Sequence, residues 1–438
     1  MPETILIFAP LLSEADPTLT AEGNLDPLGL YAIADSLGVQ LSPGVRERQS
    51  HPRYLTAMAV AAAVCSDFEP DYVASDGVSA PWQVFEWYMV EGLVRSHQEG
   101  DDLRGLPGRD KATVALRDRS SLSAKSYLKT PRVFGFHGVY RLLAKTLDIV
   151  EDERLGEVGY RLVADWEREQ NLRGFLSNDE EPGKSVRRNL VGAIKDGLEK
   201  GGVARKAGWG GWAFFHQHLH PAEFGQSETQ VITEALFDPQ APRRSEVLRF
   251  LVSSTGQRAW RDRSERAFHQ ALRRKVRGEI ADLIDAIMLY ETFARWLQDA
   301  FDSCLHALSQ HRQQVDPAEL GSLKAVVTAA NSIPSLYSEL SDRLGQFGET
   351  TRFENAFHVF AAPQSPQAWV VTLFEHHKRV QTNKPPNGRA PWLDWFEMGK
   401  VMVRPAYLRD RGGSHDDGYV HAYRTTPLHS FAQDLGLL

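Results

Sequence analysis

The residues best suited to chemistry are three histidines at alternate positions, His216, His218 and His220. Imidazole is a common metal ligand and acts as an acid or base near neutral pH. On a strand the three rings would share a face and could bind a transition metal, whereas on a helix only His216 and His220 would share one. A metal-dependent hydrolase or nuclease at this cluster is one hypothesis. The alternative is a set of partly exposed histidines beside buried Phe214 and Phe215.

A second pattern places His376, Lys378 and Asn383 at the spacing H-x-K-x-x-x-x-N, one residue away from the phospholipase-D pattern, which ends in Asp. In that chemistry the histidine attacks phosphorus and the lysine stabilises the charge on the phosphate. Here the Asp is replaced, the stretch has a helical pattern and the pattern occurs once. A helix end whose cations face the C-terminal dipole is the favoured interpretation.

The third feature is a run of cations from Arg243 to Glu279, which we call the basic belt. It holds eleven Arg and Lys against four Asp and Glu, with Trp260 and Phe268 between them. Such a strip can follow phosphates, with an affinity that falls steeply in salt. The alternative is a solvated helix face with internal salt bridges. The cations predicted to contact nucleic acid here are Arg258, Arg261, Arg273, Arg274, Lys275 and Arg277.

Helices and strands must position these residues. The sequence predicts a mainly α-helical, multi-domain protein with a minor β contribution and winged-helix-like elements. The predicted elements of one segment are a helix over 136–145, a strand over 146–150, an acidic turn over 151–153, a return over 154–155 and a helix over 157–170. This order is typical of the end of a winged-helix domain. Arg141 and Lys145 lie on the helix beside the wing and are predicted to contact nucleic acid.

Helical patterns also dominate elsewhere. Residues 51–68 and 81–94 are apolar on nearly every side, which predicts two buried helices. Residues 26–41 begin with an Asp–Pro pair suited to a helix start, and Pro334 is predicted to separate a final portion. The predicted domains are an acidic helical segment over 1–127, a winged-helix-like segment over 128–176, a helical segment with the basic belt over 177–330 and an α+β segment over 331–438.

Composition excludes several classes of protein. With 438 residues, 42% hydrophobic and 24% charged, the chain is not wholly disordered. Its two cysteines exclude a disulfide scaffold, and no apolar run reaches the roughly 18–20 residues of a membrane span. The first residues lack a basic region before their apolar stretch, so we predict a cytoplasmic protein. Residues 1–100 hold fourteen Asp and Glu against four Arg, which favours a protein partner for that part.

Common enzyme motifs are absent from the sequence. It contains no GxxxxGK[ST] phosphate-binding loop, no GxGxxG after a strand and no GxSxG nucleophile turn. We therefore predict no cofactor and favour a non-catalytic role.

One passage has a resemblance. The string Asp26-Pro-Leu-Gly-Leu30, then Ile33, Leu41-Ser-Pro43-Gly44 and Arg53-Tyr54 resembles the opening of an uncharacterised bacterial family found in phage-defence islands. Genes of that family lie near helicases and phospholipase-D-like proteins. The resemblance covers about 30 residues. It implies an antiviral defence context and supplies no catalytic residues.

Together these observations predict a non-catalytic subunit of a prokaryotic anti-phage defence system. It would bind DNA, a protein partner such as a helicase or nuclease, or both. The first alternative is the metal-dependent hydrolase or nuclease built on His216, His218 and His220. The second is a purely structural adaptor that contacts only proteins.

Overall fold

The computed structural model describes residues 26–69, 71–97, 102–310, 313–385, 387–413 and 418–438. These residues are mainly α-helical, which confirms the predicted fold class. The helices are α1 (Tyr31–Leu41), α2 (Tyr54–Cys65), α3 (Pro81–Arg95), α4 (Arg109–Arg117), α5 (Pro131–Phe134), α6 (Phe136–Thr146), α7 (Glu157–Glu169), α8 (Gly183–Lys200), α9 (Trp212–Leu219), α10 (Gln226–Leu236), α11 (Pro242–Val252), α12 (Ser254–Trp260), α13 (Glu265–Arg273), α14 (Glu279–Gln310), α15 (Lys324–Gly345), α16 (Thr350–Phe357), α17 (Pro366–Thr382) and α18 (Thr425–Asp434).

The strands of the described residues form two short antiparallel hairpins. Their strands are β1 (Val150–Glu151) with β2 (Arg154–Leu155), and β3 (Leu393–Trp395) with β4 (Val401–Val403). In the second hairpin Leu393 pairs with Val403 and Trp395 with Val401. Among the described helices, none combines the length and the apolar character needed to cross a lipid bilayer.

The chain divides into two compact units. Unit 1 contains Ser42–Ser253 and Arg424–Leu438, and unit 2 contains 26–41 and Ser254–Tyr423. The boundary after Ser253 lies inside the predicted 177–330 segment, and it also divides the basic belt. The division into four domains stays a prediction.

Unit 1 is organised around α2 and α3. Helix α2 packs against α3, α6, α7 and α8, and α3 packs against α4, α6, α8 and α9. A helix with neighbours on every side needs apolar residues on every side, which explains the two unbroken apolar stretches. The prediction of two buried helices is confirmed, since every residue of α3 except its last two is buried.

Unit 2 is organised around α14, a helix of 32 residues that packs against α15, α1 and α13. The predicted break at Pro334 is wrong, because Pro334 lies inside the continuous helix α15. Proline there removes one backbone hydrogen bond from the helix. Ile333 and Leu340 are completely buried on either side of it, and this burial holds the helix together.

Helix α1 begins at Tyr31, four residues later than the Asp–Pro pair suggests. Gly29 has a φ of +74°, which interrupts helical geometry before Tyr31. The Asp26 carboxylate nevertheless accepts hydrogen bonds from the backbone N–H groups of Leu30 and Tyr31, both at 2.9 Å. Asp26 therefore supplies the predicted capping group from outside the first turn.

Candidate nucleic-acid interface

The part of the basic belt in unit 2 lies on α12, α13 and the turns that flank α13. Ser264 begins α13 by accepting a hydrogen bond from the N–H of Ala267 at 3.2 Å. Phe268, His269 and Leu272 form its buried face, so the charged residues face outward or lie in the turns. The sequence pattern of apolar and basic residues thus predicts which side chains are exposed.

Five of the six cations predicted in the belt are exposed, and so is Arg263 in the turn before α13. Among the described residues, no carboxylate lies within 4 Å of the cationic groups of Arg258, Arg274, Lys275 or Arg277. Arg261 pairs with Asp262 at 3.6 Å, but both side chains are 81% exposed, so solvent screens this pair. Sequence reasoning left Arg263 out of the contact set although it belongs to the same run.

Arg273 differs from its neighbours. Its Nε donates to Asp285 Oδ1 at 2.7 Å, and the side chain is 35% exposed. The hydrogen bond to Asp285 raises the pKa of Arg273. A phosphate would have to compete with this carboxylate, so the phosphate contact predicted for Arg273 carries the least support of the six.

The belt cations of unit 1 differ in exposure, since Arg249 is exposed and Arg244 is buried. Arg244 on α11 is completely buried, and its guanidinium donates to the carbonyl oxygens of Leu236, Pro43 and Ala235 at 3.0–3.3 Å. Burial lowers its pKa to about 10. Arg244 therefore satisfies backbone carbonyls of unit 1 and is not available to a phosphate.

The order of elements predicted around the wing is present. Helix α6 is followed by β1, a turn at Asp152 and Glu153 with φ values of +43° and +68°, β2 and α7. Lys145 is exposed on α6 and Arg141 is half-buried one turn before it. The hairpin tip is acidic and repels phosphate, so it does not support Arg141 and Lys145 in a DNA contact. The winged-helix assignment stays a prediction.

Helix α6 is held at its start by Glu86 of α3. Oε1 of Glu86 accepts from the N–H of Phe136 at 2.8 Å and from the Tyr127 hydroxyl at 2.5 Å, while Oε2 accepts from the N–H of His137 at 3.1 Å. This carboxylate satisfies N–H groups that have no partner within the helix. Burial raises the pKa of Glu86 to about 7, although these hydrogen bonds oppose the rise.

The structure shows the helical alternative for the histidine cluster. His216 and His218 lie on α9, which ends at Leu219, and His220 follows directly after it. The rings of His216 and His220 lie together, with centroids 4.9 Å apart, whereas His218 Nδ1 lies 2.9 Å from Gln170 Oε1. Nowhere in the described ranges do three or more His, Cys, Asp or Glu side chains form a group that could hold a metal ion. The structure thus brings two of the three histidines together.

The backbone of this cluster is fixed by a buried ion pair. Arg53 of unit 1 donates from Nε to Glu228 Oε1 at 3.0 Å, and its other nitrogens donate to the carbonyl oxygens of His220 and His218 at 2.7 and 3.1 Å. Thr56 Oγ1 also donates to Glu228. The Arg53–Glu228 pair is completely buried and closes the C-terminal end of α9.

The histidines in and beside the phospholipase-D-like pattern have a structural role. His376 Nε2 donates to the carbonyl oxygen of Leu28, and His377 Nδ1 donates to that of Pro27, both at 2.8 Å. Both rings are buried, so His376 does not present a nucleophile to a phosphate. Lys378 lies 4.8 Å from the centroid of the Trp395 ring. The two histidines anchor the segment that precedes α1.

No protein-family model, curated protein sequence or solved structure matches the chain.

Proposed function

We propose that the chain is a non-catalytic DNA-binding subunit of a prokaryotic anti-phage defence system. It works in the cytoplasm beside a protein partner such as a helicase or nuclease. The observation that carries the DNA-binding part is the cluster of exposed cations at the two ends of α13. The defence context rests on the N-terminal resemblance, and the partner rests on that resemblance and on the acidic first hundred residues.

The geometry of the cations suits a phosphate backbone. Helix α13 has nine residues, so the turns at its ends lie about 13 Å apart along its axis. A DNA duplex carries one phosphate charge per about 1.7 Å of its axis, so both turns meet phosphates of one duplex. Contacts from arginine and lysine side chains to phosphates carry no sequence information. We therefore propose binding that depends weakly on sequence.

Replacement of Arg274, Lys275 and Arg277 together by Ala is expected to weaken DNA binding similarly across sequences. The loss of three phosphate contacts lowers the slope of log affinity against log salt by about 2–3. Fluorescence anisotropy with duplex and single-stranded DNA, measured at several salt concentrations, tests this expectation.

The matched control replaces Lys129, Arg188 and Lys195 by Ala. These three cations are exposed in unit 1, so the net charge changes equally but the proposed surface does not. Equal affinities and salt slopes for both triple variants would contradict the proposed surface. If the unsubstituted chain bound neither form of DNA at low salt, the adaptor alternative would replace the proposal.

A further inference from the structure

Unit 2 contains a groove of about 720 Å³ that shares no residue with the basic belt or the histidine cluster. Its walls come from the segment before α1, from α16 and from α17. This volume lies within the range of small-molecule sites, which runs from roughly 300 to 1,000 Å³. We propose that this groove binds a small phosphorylated sugar, with the phosphate at Arg379 and the sugar hydroxyl groups at Asn355 and Asn383.

Arg379 is a half-buried cation of the groove, and its guanidinium is held in place by α16 and α17. Its Nη2 donates to the carbonyl oxygen of Ala356 at 2.8 Å and to Nδ1 of His376 at 3.1 Å. His376 accepts there because its proton lies on Nε2, which donates to Leu28. The three N–H bonds of Nε and Nη1 have no acceptor among the described residues. The guanidinium is thus oriented before a ligand binds, which lowers the cost of binding.

The positive charge of Arg379 has no counter-charge beside it. In the part of the chain that the structure describes, no carboxylate lies within 4 Å of its guanidinium. His376 is neutral near pH 7, because burial lowers its pKa to about 4. An arginine held only by neutral acceptors favours an anionic ligand, and phosphate oxygens accept charge-assisted hydrogen bonds from guanidinium N–H groups.

A second cation, Arg352 of α16, lines the groove at its rim. Its Nη1 lies 2.9 Å from Glu349, and its side chain is 44% exposed. Glu349 is buried, and its Oε1 also accepts from the Ser36 hydroxyl. Among the described residues no Asp or Glu side chain lines the groove itself. Arg352 therefore adds a donor for an anion, while the uncompensated charge comes from Arg379.

Three neutral polar side chains favour a sugar attached to the phosphate. Thr351 and Asn355 lie on α16, and Asn383 directly follows α17. All three are exposed, and their side chains have no hydrogen-bond partner within the described ranges. An amide offers both a carbonyl acceptor and N–H donors, which suit the hydroxyl groups of a sugar. No Trp, Tyr or Phe of the described residues lines the groove, so a nucleobase would find no ring on which to stack.

Isothermal titration calorimetry of the full chain with ribose 5-phosphate, ribose, inorganic phosphate and AMP tests the proposal. We expect one ribose 5-phosphate per chain, with a Kd of about 10–100 μM. Ribose and inorganic phosphate are expected to bind at least about tenfold more weakly, because each lacks one half of the interaction. AMP is expected to bind no more tightly than ribose 5-phosphate, since its base gains no stacking contact.

Two variants assign the binding to this groove. Arg379→Gln is expected to weaken binding of ribose 5-phosphate by about tenfold or more, because it removes the charge that faces the phosphate. Asn355→Ala combined with Asn383→Ala is expected to weaken it by about fivefold or more. These amides have no partner to lose among the described residues, so the double variant tests the site even if Arg379→Gln does not fold. Thermal unfolding of each variant checks that it is folded.

The matched control is Lys378→Gln, which removes one positive charge from α17 at a position outside the groove. It is expected to leave binding of ribose 5-phosphate unchanged. Equal weakening in Lys378→Gln and Arg379→Gln would contradict the proposal, because binding would then follow net charge alone. The absence of one-to-one binding of ribose 5-phosphate up to 1 mM, about the weakest affinity of interest, would overturn it. Binding of AMP or of inorganic phosphate about tenfold more tightly than ribose 5-phosphate would overturn it as well, and so would unchanged binding in the folded double variant.

Discussion

Replacement of Arg53 by Met is expected to lower the free energy of unfolding of unit 1 by about 3–5 kcal/mol. The substitution leaves the Glu228 carboxylate buried without its cation, and burial already raises the pKa of Glu228. It also removes the donors to the carbonyl oxygens of His218 and His220. Denaturant unfolding, with hydrogen exchange of peptides from α2, α9 and α10, measures the loss.

The matched control is Arg161→Met. Arg161 pairs with Glu234 at 2.8 Å, but the two side chains are 53% and 48% exposed. An exposed pair contributes about 0–1 kcal/mol, so this variant is expected to unfold nearly as the parent does. In the double variant Arg53→Met with Glu228→Leu, no charge is left unpaired, and we expect part of the stability to return. Equal losses in Arg53→Met and Arg161→Met would refute the role of the buried pair.

Unit 2 is expected to lose stability as the pH falls from about 6.5 to about 4. Burial lowers the pKa values of His376 and His377 to about 4, and backbone hydrogen bonds only partly oppose it. Between these pH values the unfolded chain binds protons that the folded chain does not, so acid favours unfolding. Each histidine contributes about 3 kcal/mol over the full range, since one pKa unit corresponds to about 1.4 kcal/mol.

Burial also lowers the pKa of His269, to about 3, so this histidine acts in the same direction in unit 2. Denaturant unfolding between pH 7.5 and 4.5 gives the slope of stability against pH, and hydrogen exchange assigns it to unit 2. His376→Gln is expected to reduce this slope by about one proton, because one of these histidines no longer titrates. His97→Gln, at an exposed histidine of unit 1, is the control. A slope unaffected by His376→Gln would show that the ring does not titrate as we expect.

The sequence correctly predicted the elements whose environment, buried or exposed, is the same along their whole length. The apolar stretches of α2 and α3 are explained by neighbours on all sides. Arg274, Lys275 and Arg277 are exposed because they lie in the polar turn after α13. For the histidine cluster the sequence left a strand and a helix open as alternatives, and the structure shows the helix. In each of these cases the structure is determined by interactions between residues close in the chain or by burial of apolar surface without specific partners.

The features that the sequence did not predict depend on partners distant in the chain. His376 looks like a nucleophile by its spacing, yet its ring bonds to the carbonyl of Leu28, nearly 350 residues away. Arg244 looks like part of a basic strip, yet it bonds to the carbonyl of Pro43. The continuity of α15 through Pro334 depends on tertiary burial, which outweighs the local tendency of proline to break a helix.

Unit 1 includes α18, which follows unit 2 in the chain. Helix α18 packs on α11, Leu428 and Phe431 are completely buried, and Asp434 lies 2.7 Å from the imidazole of His51. During translation, most of unit 1 therefore leaves the ribosome before Ser254–Tyr423. Helix α18, the last helix of unit 1, leaves after that segment. During that interval the apolar surface that α18 covers stays open to water and to other nascent chains, a state in which proteins aggregate or need a chaperone. Unit 1 is thus completed after unit 2, although most of unit 1 is translated before Ser254–Tyr423.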